Sequence, residues 1–222
     1  MLGVSQMNNA PARLLAEFLG VFFLCLFGIG AIMNGADLTG VALAHGLAIF
    51  VAICAFAHIS GAHFNPAVTV ALAATKRIAL TDALAYVSAQ LAGAVAAAVL
   101  LNSAFGSLGG VPSLGDGVTT STGILVEAIA TFILMIVIMG VAVDSRGTFS
   151  IIAGLPIGMA IVGDIFFAGP VTGAAMNPAR WFGPAVVTGE TASVLVYLAG
   201  PIIGALVAAF VYDFVMKPTK AA

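Results

Sequence analysis

The tripeptide Asn-Pro-Ala occurs twice, at 65–67 and at 177–179, and its chemistry is the most defined in this sequence. Asn65 and Asn177 each precede a proline. That order suits the asparagine for a helix N-cap and Pro66 or Pro178 for the first helical position, where a missing N–H costs nothing. An asparagine placed there caps with its carbonyl oxygen and keeps its amide NH2 free to donate outward, whereas an aspartate would add charge and offer no donor. Ala67 and Ala179 complete the two motifs, and Arg180 stands three residues after Asn177. The other polar groups set in apolar surroundings are Glu17, Glu127, Asp164, His45 and His63, with His58 ending an apolar run. The three histidines form no cluster of metal ligands and no nucleophile–base pair with a neighbour. No catalytic residue, metal or cofactor is therefore expected, and a membrane enzyme is a weak reading.

The elements that must position these groups follow from composition. Charged residues make up 7% of the chain and hydrophobic ones 62%, against roughly 25% charged in a soluble domain. This is the composition of a membrane protein. A net charge of -2 offers no basic surface to track phosphates, so nucleic acid is not an expected partner. Apolar runs read against turn signals predict six spans, at 12–33, 40–58, 83–102, 122–142, 149–168 and 192–214. Two shorter stretches, 66–74 and 178–187, each begin at an Asn-Pro-Ala turn and are too short to cross a bilayer, so they read as half-helices. Residues 103–121, rich in Gly and Ser, divide the chain near its middle. Cys25 and Cys54 fall inside apolar runs and read as small buried hydrophobes. The first thirteen residues carry neither a basic leader nor a small-residue cleavage site, so no removable signal peptide is expected.

The two halves repeat. SGAHFNPA from Ser60 matches TGAAMNPA from Thr172, QLAGAVAAA from Gln90 aligns less closely with YLAGPIIGA from Tyr197, and Glu17 and Glu127 precede their asparagines by 48 and 50 residues. An odd number of spans per half places the second copy upside down, dividing the chain into repeats 1–115 and 116–222. Inverted repeats with broken helices place their site near the midplane. Two half-helices meeting there present positive dipole ends to each other, which disfavours cations. A water accepting from both asparagines would turn its hydrogens away and break a proton wire. Arg13, Lys76, Arg77, Arg146, Lys217 and Lys220 fall on one side of the six-span scheme, which predicts cytoplasmic termini; Arg180 alone lies on the other. Gly20, Gly28, Gly46, Gly93, Gly158 and Gly204 are expected to allow close helix approach.

HISGAHFNPAVT, PVTGAAMNPARWFGPAV, the paired glutamates and the inverted three-span repeat together resemble the aquaporin family, the major intrinsic proteins, over nearly the whole chain. The resemblance implies an all-α membrane fold of six tilted helices and two re-entrant half-helices around one pore per subunit, with four subunits per assembly. By distance from each motif, it carries the family's outer selectivity filter onto His45, Ile165, Ala174 and Arg180. It implies that Glu17 and Glu127 hold the half-helix loops through backbone hydrogen bonds, where the residues alone leave a proton relay open. His63 is expected to line the pore. His45, taken alone, would read as a satisfied interior histidine. The filter set is similar to that of some tonoplast intrinsic proteins, with Ile165 as an apolar wall opposite the donors His45 and Arg180. Asp164 fits no family position and is read as a solvated residue near a helix end, facing the outer vestibule or a subunit interface.

The expected function is a passive channel for water and small neutral solutes (ammonia, urea, with glycerol less certain) that excludes protons and ions. A glycerol-facilitator type of channel is the alternative, and a secondary transporter a weaker one, since no spare ionisable group besides Asp164 is left to bind a coupling ion. The lipid bilayer and further copies of the chain in a homotetramer are the expected partners. The short loops favour a bacterial inner membrane.

Overall fold

The computed structural model describes residues 9–147 and 152–216. Among them there are eight α-helices and no strand: α1 (Ala10–Met33), α2 (Leu38–Ser60), α3 (Pro66–Ala74), α4 (Leu80–Phe105), α5 (Thr120–Ile138), α6 (Gly154–Thr172), α7 (Pro178–Thr188) and α8 (Val194–Val211). Helices α5 and α8 run on into π-helical turns, Met139–Val143 and Tyr212–Met216. Six of these helices are long and apolar enough to cross a membrane. The 9 residues of α3 and 11 of α7 add up to roughly 30 Å, about the thickness of a bilayer's hydrocarbon core. Two half-helices entering from opposite sides thus make one discontinuous span, which completes the inverted repeat.

Local signals set the ends. Asp37 and Thr119 cap α2 and α5 by accepting from the N–H groups of Gly40 and Thr122. Helices α2, α4, α6 and α7 stop at glycines in the left-handed region, Gly61, Gly106, Gly173 and Gly189. The expected fifth span, 149–168, is displaced: α6 begins at Gly154 and passes through Pro170 to Thr172. Gly169-Pro170 reads as a stop, yet a proline in the final turn removes a single ladder bond and is tolerated there. Residues 149–151, Lys217 and Lys220 lie outside the described residues.

Packing repeats along with the sequence. Helix α1 lies against α4 as α5 lies against α8, and α2 crosses α6 at the centre. At that crossing a Cβ on Gly46 would lie 2.6 Å from the carbonyl oxygen of Gly158, and one on Gly158 2.4 Å from that of Gly46. Gly93 meets the carbonyl of Phe18, and Gly204 that of Ala128, in the same way. Backbone contact through small residues suits a bilayer, where apolar side chains gain little by leaving lipid. Gly20 and Gly28 depart from that expectation, because their missing Cβ atoms make room for the rings of Phe64 and His45. Leu15, Leu47, Leu84, Leu125, Phe166 and Leu195 remain exposed, giving the bundle an apolar outside.

Candidate functional site

Each half-helix is introduced by a loop of unusual backbone. Ala62 and Phe64 before α3, and Ala174 and Met176 before α7, all have positive φ, between 47° and 55°. Left-handed backbone costs a residue with a side chain about 1–2 kcal/mol, so the loops need external support. Buried carboxylates provide it. Glu17 accepts from the N–H groups of His63 (3.0 Å) and Phe64 (2.8 Å), from Ser60 Oγ (2.6 Å) and from Gln90 Nε2 (2.7 Å). Glu127 accepts from the N–H groups of Ala175 (2.9 Å) and Met176 (2.7 Å) and from Thr172 Oγ1 (2.6 Å). Two tyrosine hydroxyls complete the pair, Tyr86 donating to Ser60 O (2.8 Å) and Tyr197 to Thr172 O (2.7 Å). Tyr197 therefore corresponds to Tyr86; the register that aligns it with Gln90 is one helical turn off.

Asn65 caps α3 by accepting from Ala67 N–H at 2.9 Å, and Asn177 caps α7 by accepting from the N–H groups of Ala179 (3.0 Å) and Arg180 (3.4 Å). Their amide groups are not wholly free. Asn65 Nδ2 donates to Met176 O and Asn177 Nδ2 to Phe64 O, each at 2.8 Å. One N–H of each amide locks the opposite loop, and a second remains. Both asparagines, together with Phe64, Ala174 and Met176, line a cavity of ≈ 850 Å³.

Arg180 is 2% exposed and projects from the first turn of α7. Its Nε and Nη2 lie 3.3 Å from His45 Nε2, and its Nη1 donates to Gly110 O at 2.9 Å. His45 Nδ1 lies 2.8 Å from Val41 O, one turn back on α2. A carbonyl requires a donor, so the proton sits on Nδ1 and Nε2 accepts from the guanidinium. This corrects the expectation of His45 as a donor into the pore: its donor is spent on its own helix. Three of the five guanidinium N–H groups are engaged in these contacts, leaving two. Arg180 lines both the large cavity and a second one of ≈ 340 Å³, so it stands where the two adjoin. His45 and Ala174 line the large cavity, while Ile165 lines the second.

Gly110 belongs to the Gly- and Ser-rich divider, which carried no expected function. The divider folds inward, with Gly115 N–H donating to Val171 O (2.9 Å) and Gly110 at φ 72°. A glycine adopts that backbone without steric cost.

At the other end of the cavity, His63 Nδ1 lies 3.1 Å from Thr69 Oγ1. That hydroxyl donates to Asn65 O (3.0 Å) and accepts from Gln90 Nε2 (3.0 Å). The hydroxyl proton being used, His63 Nδ1 donates, and its Nε2 is an acceptor on a residue that lines the cavity. Gln90 and Thr69 carry no role among the sequence expectations, although a glutamine in an uncharged run is a usable signal. His58 and Cys54 also line the cavity, so Cys54, which is exposed there, is not the buried hydrophobe expected. Asp164 is a second correction: α6 continues past it to Thr172, and it is 2% exposed, with Oδ2 lacking a hydrogen-bond partner among the described residues. It lines neither cavity.

Beyond the spans, Asp144 is gripped by Arg146, whose Nε lies 2.9 and 3.0 Å from its two oxygens, and by Tyr212 Oη at 2.9 Å. The Arg146 guanidinium holds the Asp144 carboxyl well below the usual carboxylate range. Arg77 makes a two-pronged pair with Asp213, at 2.7 and 2.6 Å.

The family model of the major intrinsic proteins matches residues 5–212. The chain is 42% identical to maize (Zea mays) aquaporin NIP1-1 over 218 residues, covering 94% of this chain and 76% of that one. It is 42% identical to maize aquaporin TIP4-4 (90% and 84% covered), and 40% identical to nodulin-26 of Glycine max (94% and 79% covered). In structure it is similar to the aquaglyceroporin from Plasmodium falciparum, with a TM-score of 0.86 at 27% identity, over 93% of this chain and 97% of the other.

Proposed function

We propose a function from the premise that this chain belongs to the major intrinsic protein family: it is a multi-pass membrane channel and not an enzyme. The finer reading is a passive pore for water that also admits small neutral solutes, ammonia and urea first and glycerol at its upper size, while excluding protons and ions. The observation that carries it is Arg180 held between His45 and the Gly110 carbonyl where two cavities adjoin. A cation meets a fixed positive group there. A neutral solute with an acceptor atom meets two spare N–H groups, with Ala174 and Ile165 supplying small and apolar walls. Asn65 and Asn177 act at the midplane, with Pro66, Ala67, Pro178 and Ala179 shaping the two helix starts. Glu17 and Glu127 support the loops, and His63 offers an acceptor in the opposite half.

The two repeats are assigned to 1–115 and 116–222, the assembly to a homotetramer, and both termini to the cytoplasmic side, on the basic residues that share that side. Loop length favours a bacterial inner membrane, although the maize and Glycine max relatives named above are plant proteins. Light scattering from proteoliposomes under sucrose, glycerol and urea gradients tests the reading. Fast shrinkage in all three, with re-swelling in urea and slower re-swelling in glycerol, is expected. No solute entry beside fast water flux would remove the wide filter and leave a water channel; rapid glycerol entry would favour a glycerol-facilitator type, as the likeness to an aquaglyceroporin allows.

A further inference from the structure

We propose that Gly28 is a positioning residue of the filter: its lack of a side chain seats the His45 ring beside Arg180 and so sets the width of the constriction. The proposal rests on the filter reading above. A Cβ built on Gly28 would lie 2.2 Å from His45 Nε2 and 2.4 Å from both Cδ2 and Cε1. Non-bonded heavy atoms settle at about 3.5–4.0 Å, so one methyl group forces the ring to move by more than 1 Å. The three nearest atoms all belong to one side chain. This sets Gly28 apart from Gly93 and Gly204, whose nearest neighbours are backbone carbonyls of a crossing helix.

The ring is held on its other sides. Nδ1 is bonded to Val41 O and Nε2 to the Arg180 guanidinium, and His45 is 3% exposed. Its open side is the large cavity that it lines. A displaced ring therefore turns into the lumen and loosens the Arg180 contacts as it goes.

The other half offers an internal control. Glu17 and Glu127 stand 110 residues apart, which relates Gly28 to Ile138; Gly46 and Gly158 stand 112 apart, which relates His45 to Ile157. Both isoleucines line the same cavity. Where the second half keeps an aliphatic on each helix, the first removes one entirely and uses the space for an imidazole. The exchange is specific to the end of the pore that holds Arg180.

The test compares wild type, Gly28→Ala, His45→Ala and the double variant in proteoliposomes, measuring permeability to water, ammonia, urea and glycerol per assembled channel. Gly28→Ala is expected to lower permeability to the largest solute that wild type passes by about tenfold, with a smaller loss for water. In the His45→Ala background the same change should leave both permeabilities within about twofold, because the obstructing ring is gone. Assembly of the double variant where Gly28→Ala alone fails would also support the proposal. A wild-type solute-to-water ratio in Gly28→Ala, an equal effect in both backgrounds, or failure of both Gly28→Ala variants to assemble would overturn it. Should His45→Ala itself keep the wild-type ratio, the filter reading falls and takes this proposal with it; a changed ratio in His45→Ala with none in Gly28→Ala removes Gly28 alone.

Discussion

The loop that carries Asn65 and the loop that carries Asn177 share one scaffold and differ in what the scaffold presents. In both, a buried glutamate accepts from two successive backbone N–H groups and one hydroxyl, a tyrosine holds the preceding carbonyl, and a glycine and two residues with side chains sit at positive φ. Beyond the asparagines the halves part. The first places Val68 and Thr69 where the second has Arg180 and Trp181. Thr69 joins Gln90, Glu17 and His63 in one chain of bonds, whereas Arg180 reaches His45 and Gly110, and Trp181 stacks on Tyr197 at 5.6 Å between centroids. Backbone geometry is the duplicated part. The chemistry proposed for selectivity stands in one copy.

The largest effect should come from breaking what the halves share. In Asn65→Asp or Asn177→Asp the donor that bonds the opposite loop's carbonyl becomes a carboxylate oxygen facing that carbonyl. Repulsion replaces a hydrogen bond in a buried place, at several kcal/mol. Water flux in stopped-flow light scattering should drop by more than tenfold, or the assembled channel should be lost. Folded, assembled variants of both kinds with unchanged flux would remove the asparagines from the midplane role.

That shared scaffold was also the most legible part. Six spans, two half-helices and the inverted repeat follow from apolar length, two Asn-Pro-Ala turns and an odd span count, and these set the fold before side chains matter. Where reading failed, the deciding partner was distant or conformational. His45 reads as a donor until Val41 O, on its own helix, takes its proton. Asp164 reads as solvated because the fifth span is expected to end at 168, whereas α6 runs on to Thr172. Gly110 lies in a stretch whose composition marks a loop, and composition does not reveal that its carbonyl holds Arg180.

Next in size are the substitutions that break the asymmetry. Arg180→Val should leave water flux within a fewfold of wild type while raising leak of cations or protons, read by a pH-sensitive dye inside the vesicles. An unchanged leak would take Arg180 out of its assigned role. Ala174→Phe should cut urea or glycerol permeability far more than water, since the change fills space at the same constriction. Parallel loss of both would mean general collapse and not a narrower filter.

A smaller effect should sharpen the difference on the other side. Gln90→Leu removes one of Glu17's four donors and one partner of Thr69, and a hydrogen bond to a charged group is worth about 1.5–3 kcal/mol. Thermal stability in detergent should fall by a few degrees and water flux by no more than about threefold, with solute-to-water selectivity unchanged because Arg180 belongs to the other half. A shift in selectivity would mean that the two ends of the pore are coupled.

The smallest effect lies outside the bilayer, where one loop from each half, α3–α4 in the first and α5–α6 in the second, is tied to the π-helical turn after α8. Arg77 does so through Asp213, and Asp144, bonded to Arg146, does so through Tyr212. The Asp144 carboxyl is held below its ordinary value, chiefly by the guanidinium of Arg146. The unfolded chain therefore takes up this proton at a higher pH than the folded one does. The stabilisation is fully present above the unfolded value, about 3.9, and is lost as pH falls below it toward the folded value. Asp144→Asn should accordingly melt lower than wild type by a constant margin from pH 8 to about pH 5, with the two curves converging only below about pH 4. Arg146 is half exposed, so solvent screening keeps that margin small. Convergence already near pH 6 would mean that a group other than Asp144 fastens this loop, and the likeness between the two ties would end there.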